Sequence, residues 1–181
     1  MIALVTGASS GIGRDIAREL AKRKYNIIAV ARNEDALKEL KNELEKEYEV
    51  NVDVRAMDLI DRDGCRKLHD DVKSQYGIID VLVNDAGFGT CGKFTETDLD
   101  KELGMIDTNV VALHILTKLF LIDMVEADKG HILNVASIAG FMPGPLMATY
   151  YSTKSYVVRL TQSIRQELFM QGSHVKISAL C

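Results

Sequence analysis

A tyrosine and a lysine lie four residues apart in the last third of the chain, at Tyr150 and Lys154. On a helix this spacing places both side chains on one face. An ammonium group near a phenol stabilises the phenolate, so the phenol can exchange a proton closer to neutral pH. Such a phenol can donate a proton to a carbonyl oxygen or accept one from an alcohol. The spacing is also common on ordinary exposed helices, so other residues must decide between the two interpretations.

A serine supports the chemical interpretation. Ser137 ends the apolar segment Leu133–Ser137, which has the composition of a buried strand. Ligands of doubly wound sheets bind at the carboxyl ends of the strands. A hydroxyl at that position can therefore donate a hydrogen bond to the oxygen of a substrate.

A glycine-rich segment lies between the first predicted strand and the first predicted helix. Its sequence is Thr6-Gly7-Ala8-Ser9-Ser10-Gly11-Ile12-Gly13. The first glycine permits a tight turn, the second lets the backbone approach a pyrophosphate, and the third lets the helix pack close to the strand. The N-terminus of the helix favours bound phosphate. Because the segment joins a strand to a helix, a dinucleotide site is favoured over a purely structural turn.

The residue that would recognise the adenosine ribose is expected at the end of the second strand. That segment, Ala29–Asn33, contains Arg32 and no carboxylate. Arg32 can pair with a 2′-phosphate, which favours NADP, although an arginine at a strand end can also simply be solvated. Arg14 can assist or can be an ordinary surface residue. Asp58, after the third strand, can accept a hydrogen bond from the adenine amine or cap the next turn.

Short apolar runs alternate with amphipathic stretches along the whole chain. This alternation predicts an α/β fold: a three-layer, Rossmann-type, doubly wound parallel sheet in a single domain over residues 1–181. The predicted strands are Ile2–Val5, Ile27–Ala31, Val52–Met57, Ile79–Val83, Ile132–Ala136 and Val175–Leu180. The predicted helices are Ile12–Lys22, Asn33–Tyr48, Arg62–Gln75, Asp98–Ala127 and Tyr150–Phe169.

Taken together, these segments resemble the short-chain dehydrogenase/reductase family over the whole chain. The matching motifs are Thr6-Gly7-x-x-x-Gly11-x-Gly13, Asp58, Asn109, Ser137 and the Tyr150-x-x-x-Lys154 pair. The resemblance implies an enzyme that transfers a hydride between NADP(H) and a carbonyl or secondary alcohol substrate. It also agrees with Arg32 as a marker of NADP rather than NAD.

The resemblance also assigns roles to residues. It implies that Tyr150 is the general acid/base and that Ser137 polarises the substrate oxygen. Lys154 would hold the nicotinamide ribose, and Asn109 would position a water that connects Lys154 to solvent. The cofactor contacts expected are Gly7, Ser9, Ser10, Gly11, Ile12, Gly13, Arg32, Asp58, Leu59, Asn84, Ala86, Gly87, Tyr150 and Lys154.

Two features depart from the family pattern. The family usually has Asn-Asn-Ala-Gly after the fourth strand, whereas this chain has Asn84-Asp85-Ala86-Gly87, which removes an amide donor and adds a charge. The family also normally continues past the sixth strand, so the C-terminal part, with much of the substrate pocket, is expected to be missing. Apolar residues in the loops after the fourth and fifth strands can form a substrate wall or pack beneath those loops. They are Phe88, Phe141, Met142, Leu146 and Met147.

The composition restricts the other classes of function. The net charge is −4 and no basic run is present, so a nucleic-acid partner is not expected. The most apolar stretch, Leu113–Val125, is interrupted by Lys118 and Asp123, so no membrane span is predicted. The N-terminus lacks a signal-peptide pattern, which predicts a cytoplasmic protein. The three cysteines and four histidines are scattered, so neither a disulfide framework nor a metal site is predicted.

Two expectations concern what the chain does as a whole. A regulatory protein that binds NADP(H) without turnover is the alternative to an oxidoreductase.

The stretch Val110–Val125 is apolar around most of its circumference, although a helix on a sheet needs only one apolar stripe. We therefore expect a homodimer or homotetramer with this helix in the interface, unless the helix Tyr150–Phe169 covers the excess within one subunit.

Overall fold

The computed structural model describes all residues from Met1 to Cys181, and its strands and helices alternate as the sequence predicts. The strands are β1 (Ile2–Thr6), β2 (Asn26–Ala31), β3 (Val52–Ala56), β4 (Val81–Asn84), β5 (His131–Val135) and β6 (Lys176–Leu180). The helices are α1 (Gly11–Lys22), α2 (Glu34–Tyr48), α3 (Arg62–Tyr76), α4 (Leu99–Ile106), α5 (Leu113–Glu126) and α6 (Ala148–Met170). A π-helical segment, Asp107–Ala112, joins α4 to α5, and a short 3-10 turn, Ile138–Phe141, follows β5.

The six strands form one parallel sheet in the order β3-β2-β1-β4-β5-β6. The chain moves outward from β1 in one direction through β3, and then crosses to β4 on the other side of β1. Open α/β sheets bind ligands at such a switch point, beyond the carboxyl ends of the strands. The last paired residues of the two central strands, Thr6 and Asn84, lie opposite each other at that edge. The predicted fold class is confirmed.

Apolar side chains cover both faces of the sheet, because successive residues of a strand point to opposite sides. On β1, Ala3 and Val5 pack in the core beneath α1 and α2, whereas Leu4 packs in the core beneath α3 and α5. Each fully buried leucine contributes about 1.5–3 kcal/mol relative to an exposed one. These two cores hold the edge of the sheet, and the loops that follow its strands, in a fixed arrangement.

The long helix predicted over Asp98–Ala127 forms a continuous helical stretch with a π-helical segment in its middle. By length and composition alone, the 28 residues Leu99–Glu126 would suffice to cross a membrane, so the expectation that no stretch is long and apolar enough was wrong. The expectation was wrong because it considered only the apolar run from Leu113, whereas the helix extends back to Leu99. In the fold, its side chains Leu116, Phe120 and Met124 are buried against the sheet, as in the core helix of a globular domain.

Helices α3 and α5 are joined by an ion cluster in which Asp123 and His69 are buried and Lys73 is half exposed. The carboxylate of Asp123 on α5 lies 2.9 Å from Nε2 of His69 and accepts a hydrogen bond of 2.6 Å from Nζ of Lys73. Burial alone would raise the pKa of Asp123, but the hydrogen bonds from Lys73 and His69 outweigh it and hold that pKa below its usual value. The ring of Phe120 packs edge-on against His69, at 5.0 Å between centroids. The charge of Asp123, which interrupts the apolar sequence of α5, is therefore balanced by hydrogen-bonding partners on α3.

Candidate active site

The glycine-rich loop packs tightly against the loop that follows β4. A Cβ atom on Gly7 would lie 2.9 Å from the backbone nitrogen of Ala86, and one on Gly13 would lie 2.6 Å from the carbonyl oxygen of Gly7. No side chain fits at those distances. Gly11 instead has a φ of +55° and open space around it, so its glycine is required by the backbone conformation.

The start of α1 can receive an anion. Ser10 is the N-cap residue, yet its side chain makes no capping hydrogen bond, and no acidic residue lies in the first turn. The first N–H groups of a helix have no partners within the helix, and they attract phosphate together with the helix dipole. The close-packed glycines and this uncapped helix end fit the pyrophosphate of a dinucleotide.

Thr6 connects the two central strands at this edge. Its Oγ1 accepts hydrogen bonds from the backbone N–H groups of Asp85 (3.0 Å) and Ala86 (3.1 Å), and it lies 3.3 Å from the carbonyl oxygen of Val83, to which it donates. Thr6 is buried, so these bonds are shielded from water. The sequence motif contains Thr6, but its role in fixing the loop after β4 follows only from the structure.

The carboxyl group of Asp85 lies directly beneath the glycine-rich loop. Its Oδ2 is the atom that a Cβ on Gly7 or Gly13 would meet, at 2.9 Å and 2.6 Å. Burial raises the pKa of Asp85 above its usual value, while the Gly13 N–H and the charge of Lys154 act in the opposite direction. The aspartate that departs from the family pattern therefore has partners within the fold.

The basic residues near the loop have different partners. Arg14 donates to Glu43 of α2 at 3.0 Å, and Arg18 binds the same carboxylate, so Arg14 belongs to a structural ion pair. Arg32 is exposed at the end of β2, forms no ion pair within the chain and lines the cleft. Its guanidinium group can therefore bind a phosphate. Asp58 also lines the cleft, and its Oδ1 accepts a hydrogen bond from the Ile60 N–H, which caps the next turn.

Lys154 is held inside the cleft by the sheet. Its Nζ donates to the carbonyl oxygen of Val135 at 2.8 Å and lies 5.9 Å from the centroid of the Tyr150 ring. The residue is only 7% exposed, and burial lowers the pKa of its ammonium group, although the negative charge of Asp85 opposes this shift. The Tyr150 ring packs against Gly89, where a Cβ would lie 3.1 Å from Cδ2. The two residues share one face of α6, as their spacing predicts.

Ser137 and Asn109 lie close to this pair in the fold but do not line the cleft surface. Ser137 follows β5, and its Oγ accepts a hydrogen bond from the Ala139 N–H at 3.1 Å, which begins the 3-10 turn. Asn109 lies in the π-helical segment. Its Oδ1 accepts a hydrogen bond from the Phe88 N–H at 3.0 Å. Its Nδ2 donates to the Phe88 carbonyl oxygen at 2.9 Å and to the Thr153 hydroxyl at 3.2 Å. Asn109 thus ties the loop after β4 to α6, and its role toward a water stays a prediction.

Asn84 lies away from the cleft, in a group of buried side chains that we call the polar ladder: Asn84, Thr117, Asn134 and Thr161. Asn84 Nδ2 donates to Thr117 Oγ1 at 3.0 Å and to Asn134 Oδ1 at 2.9 Å. Asn134 Nδ2 donates to Thr161 Oγ1 at 3.0 Å. The polar ladder joins β4, β5, α5 and α6. The side chain of Asn84, a predicted cofactor contact, therefore hydrogen-bonds to residues of α5 and β5 in this structure.

A cleft of about 750 Å³ brings most of the other predicted residues together. Arg32 and Asp58 line it at the β2–β3 side, and Tyr150 and Lys154 line it at the α6 side. Among the apolar residues considered for a substrate wall, Phe88 and Met147 line the cleft, whereas Phe141, Met142 and Leu146 are more than half exposed. The other predicted cofactor residues that line it are Gly7, Ser9, Ser10, Gly11, Ile12, Leu59, Ala86 and Gly87; Gly13 lies buried behind the loop.

The strand order and the glycine-rich loop at the switch point define a Rossmann-type α/β protein. The family model for short chain dehydrogenases matches residues 1–181. An uncharacterized oxidoreductase of Staphylococcus epidermidis is 36% identical over 181 residues, which cover 99% of this chain and 75% of that protein. The NADP-dependent 3-hydroxy acid dehydrogenase of Schizosaccharomyces pombe is 38% identical over 167 residues, covering 91% of this chain and 64% of that protein.

A solved structure is similar over almost the whole chain. A metagenomic short-chain oxidoreductase in complex with NADP superposes with a TM-score of 0.92 at 31% sequence identity, covering 99% of this chain and 80% of that one. The chain belongs to the short-chain dehydrogenase/reductase family, a family of oxidoreductases. The family inferred from the sequence motifs is confirmed.

Proposed function

We propose that the chain catalyses hydride transfer between NADP(H) and a carbonyl or secondary alcohol, with Tyr150 as general acid/base. The observation that carries the proposal is that the Tyr150–Lys154 pair lines the same cleft as the glycine-rich loop and Arg32. The proton-transfer group and the phosphate-binding groups thus lie within reach of one extended ligand. A bound nicotinamide cofactor supplies or accepts the hydride.

Residues of the chain would carry out the proton transfer that accompanies the hydride transfer. In the reductive direction, the Tyr150 hydroxyl gives its proton to the carbonyl oxygen while the Lys154 ammonium group stabilises the phenolate that remains. Lys154 suits this role because a hydrogen bond to the Val135 carbonyl holds its Nζ at the cleft. The Ser137 hydroxyl would donate to the same substrate oxygen, because its present hydrogen bond uses only the oxygen, as an acceptor from the Ala139 N–H, and leaves the hydroxyl proton free.

The proposed cofactor preference is NADP over NAD. The exposed guanidinium group of Arg32 at the end of β2 supports it, and the next residue, Asn33, uses its side chain to cap α2. The similar metagenomic structure contains NADP, and the similar yeast dehydrogenase is described as NADP-dependent. The proposed substrates are carbonyl compounds with an apolar portion, because Phe88 and Met147 line the cleft beside Tyr150.

The test is NADPH oxidation with a panel of aliphatic and aromatic ketones, with Tyr150→Phe as the matched inactive variant. Turnover by the wild-type chain and its loss in Tyr150→Phe supports the proposal. The competing function is a regulatory protein that binds NADP(H) without turnover. Tight NADPH binding without oxidation by any substrate of the panel would favour that function over the enzymatic one.

A further inference from the structure

Asp85 places a carboxyl group where the family pattern has an amide, and the fold fixes its position. Thr6 Oγ1 accepts its backbone N–H at 3.0 Å, so the residue is tied to β1. Its Oδ2 lies against the backbone of Gly7 and Gly13 at the distances that exclude a Cβ there. The carboxyl group is thus held beneath the glycine-rich loop, at the start of α1.

Few charges face Asp85 from the surrounding elements. The other titratable residues that line the cleft are Arg32, Asp58, Tyr150 and Lys154. Of these, only Lys154 on α6 acts on the Asp85 charge, and α1 contributes the Gly13 N–H; β1 contributes the neutral hydroxyl of Thr6. Burial outweighs both stabilising contributions, so the pKa of Asp85 is raised above its usual value.

We propose that Asp85 makes cofactor binding proton-dependent, because its ionised carboxylate competes with the cofactor pyrophosphate for the positive N-terminus of α1. This inference rests on the proposed NADP(H) function. Gly13 belongs to the first turn of α1, where N–H groups without helical partners attract anions. Two anions at one helix end repel each other, and the repulsion is removed when Asp85 takes a proton from solvent. Cofactor binding and proton uptake by Asp85 are therefore linked.

The test compares the wild-type chain with Asp85→Asn by calorimetric titration of NADPH between pH 4.5 and 8, a range that starts near the usual pKa of an aspartate, about 4, and extends upward because the pKa of Asp85 is raised. Asparagine keeps an oxygen that can accept the Gly13 N–H but carries no charge. We expect Asp85→Asn to bind NADPH roughly three- to tenfold more tightly than wild type at the upper end of the range, and equally at the lower end. The ratio of the two affinities is the readout, since the 2′-phosphate itself titrates near pH 6 in both proteins.

Proton uptake gives a second readout, from titrations in two buffers with different ionisation enthalpies. Wild type should take up more protons than Asp85→Asn on binding. Glu39→Gln, which removes one charge from an exposed position on α2, should behave as wild type. If Asp85→Asn does not fold, as judged by circular dichroism, Asp85→Ser provides a smaller neutral replacement.

The outcomes separate this inference from the proposed function. Equal affinities and equal proton uptake in wild type and the neutral variant across the whole pH range would overturn the role of Asp85 and leave NADP(H) binding intact. Absence of NADPH binding in every variant would overturn both. A tighter neutral variant that still takes up as many protons as wild type would assign the linked proton to another group and reject Asp85.

Discussion

Replacement of Arg32 by alanine tests the cofactor preference directly. The guanidinium group is exposed, lines the cleft and has no internal ion pair, so the substitution breaks no ion pair or side-chain hydrogen bond of the free protein. Two unit charges 4 Å apart attract by about 1 kcal/mol in water and about 4 kcal/mol at an effective dielectric constant of 20. Because Arg32 is exposed to solvent, we expect Arg32→Ala to lose about 1–3 kcal/mol of NADPH binding free energy, which is roughly a 5- to 150-fold loss of affinity.

The assay is titration of NADPH and NADH into both proteins. NADH lacks the 2′-phosphate, so its affinity should change little in Arg32→Ala. Arg14→Gln is the matched control: Arg14 is also basic and adjoins the loop, but it is paired with Glu43 and should not affect the preference. Equal binding of the two cofactors by wild type, or equal losses for both cofactors in Arg32→Ala, would refute the reasoning.

Three further predictions concern chemistry, stability and assembly. Tyr150→Phe should lower turnover by about 10²–10⁴-fold with NADPH affinity nearly unchanged, whereas Tyr151→Phe should leave turnover intact; steady-state kinetics distinguish them, and an inactive Tyr151→Phe would reverse the assignment. Asp123→Asn should cost about 1–3 kcal/mol of unfolding free energy in urea at pH 7, because Lys73 is half exposed and water can replace its partner. Because the pKa of Asp123 is lowered in the folded protein, the stabilisation from its carboxylate should be lost as the pH falls from about 4 through the lowered folded-state pKa. A difference in unfolding free energy between wild type and Asp123→Asn that persists in acid would contradict this prediction. Light scattering should show a homodimer or larger at micromolar concentration, and Ile122→Lys, at an exposed apolar position on α5, should weaken it; a stable wild-type monomer would contradict the prediction.

The strands and helices were predictable because each is long enough for its own pattern to appear. The near-continuous apolar runs of β1, β2 and β4 predicted a sheet covered on both faces, and both cores are present. The π-helical segment within the long helix was not predictable. A π-helical segment uses the same residue types as an α-helix and differs only in hydrogen-bond spacing, so Asp107–Ala112 carries no sequence signal of its own.

The candidate site was predictable where spacing along one element decides the geometry. Tyr150 and Lys154 share a helix, and the loop glycines share one turn, so local sequence was sufficient. The placements of Asn84 and Arg14 depend on distant partners. Asn84 meets Asn134 because β4 and β5 pair in one register, and Arg14 meets Glu43 across two helices. Neither register nor helix packing can be read from a single sequence.

The polar ladder has a consequence for experiments on pH. All four of its members, Asn84, Thr117, Asn134 and Thr161, are amides or hydroxyls, and none of them ionises in the working range of an enzyme. This connection between α6 and the sheet therefore keeps its hydrogen bonds from mildly acidic to mildly alkaline solution. A pH–rate profile of this protein would then contain no contribution from ionisation within the polar ladder itself.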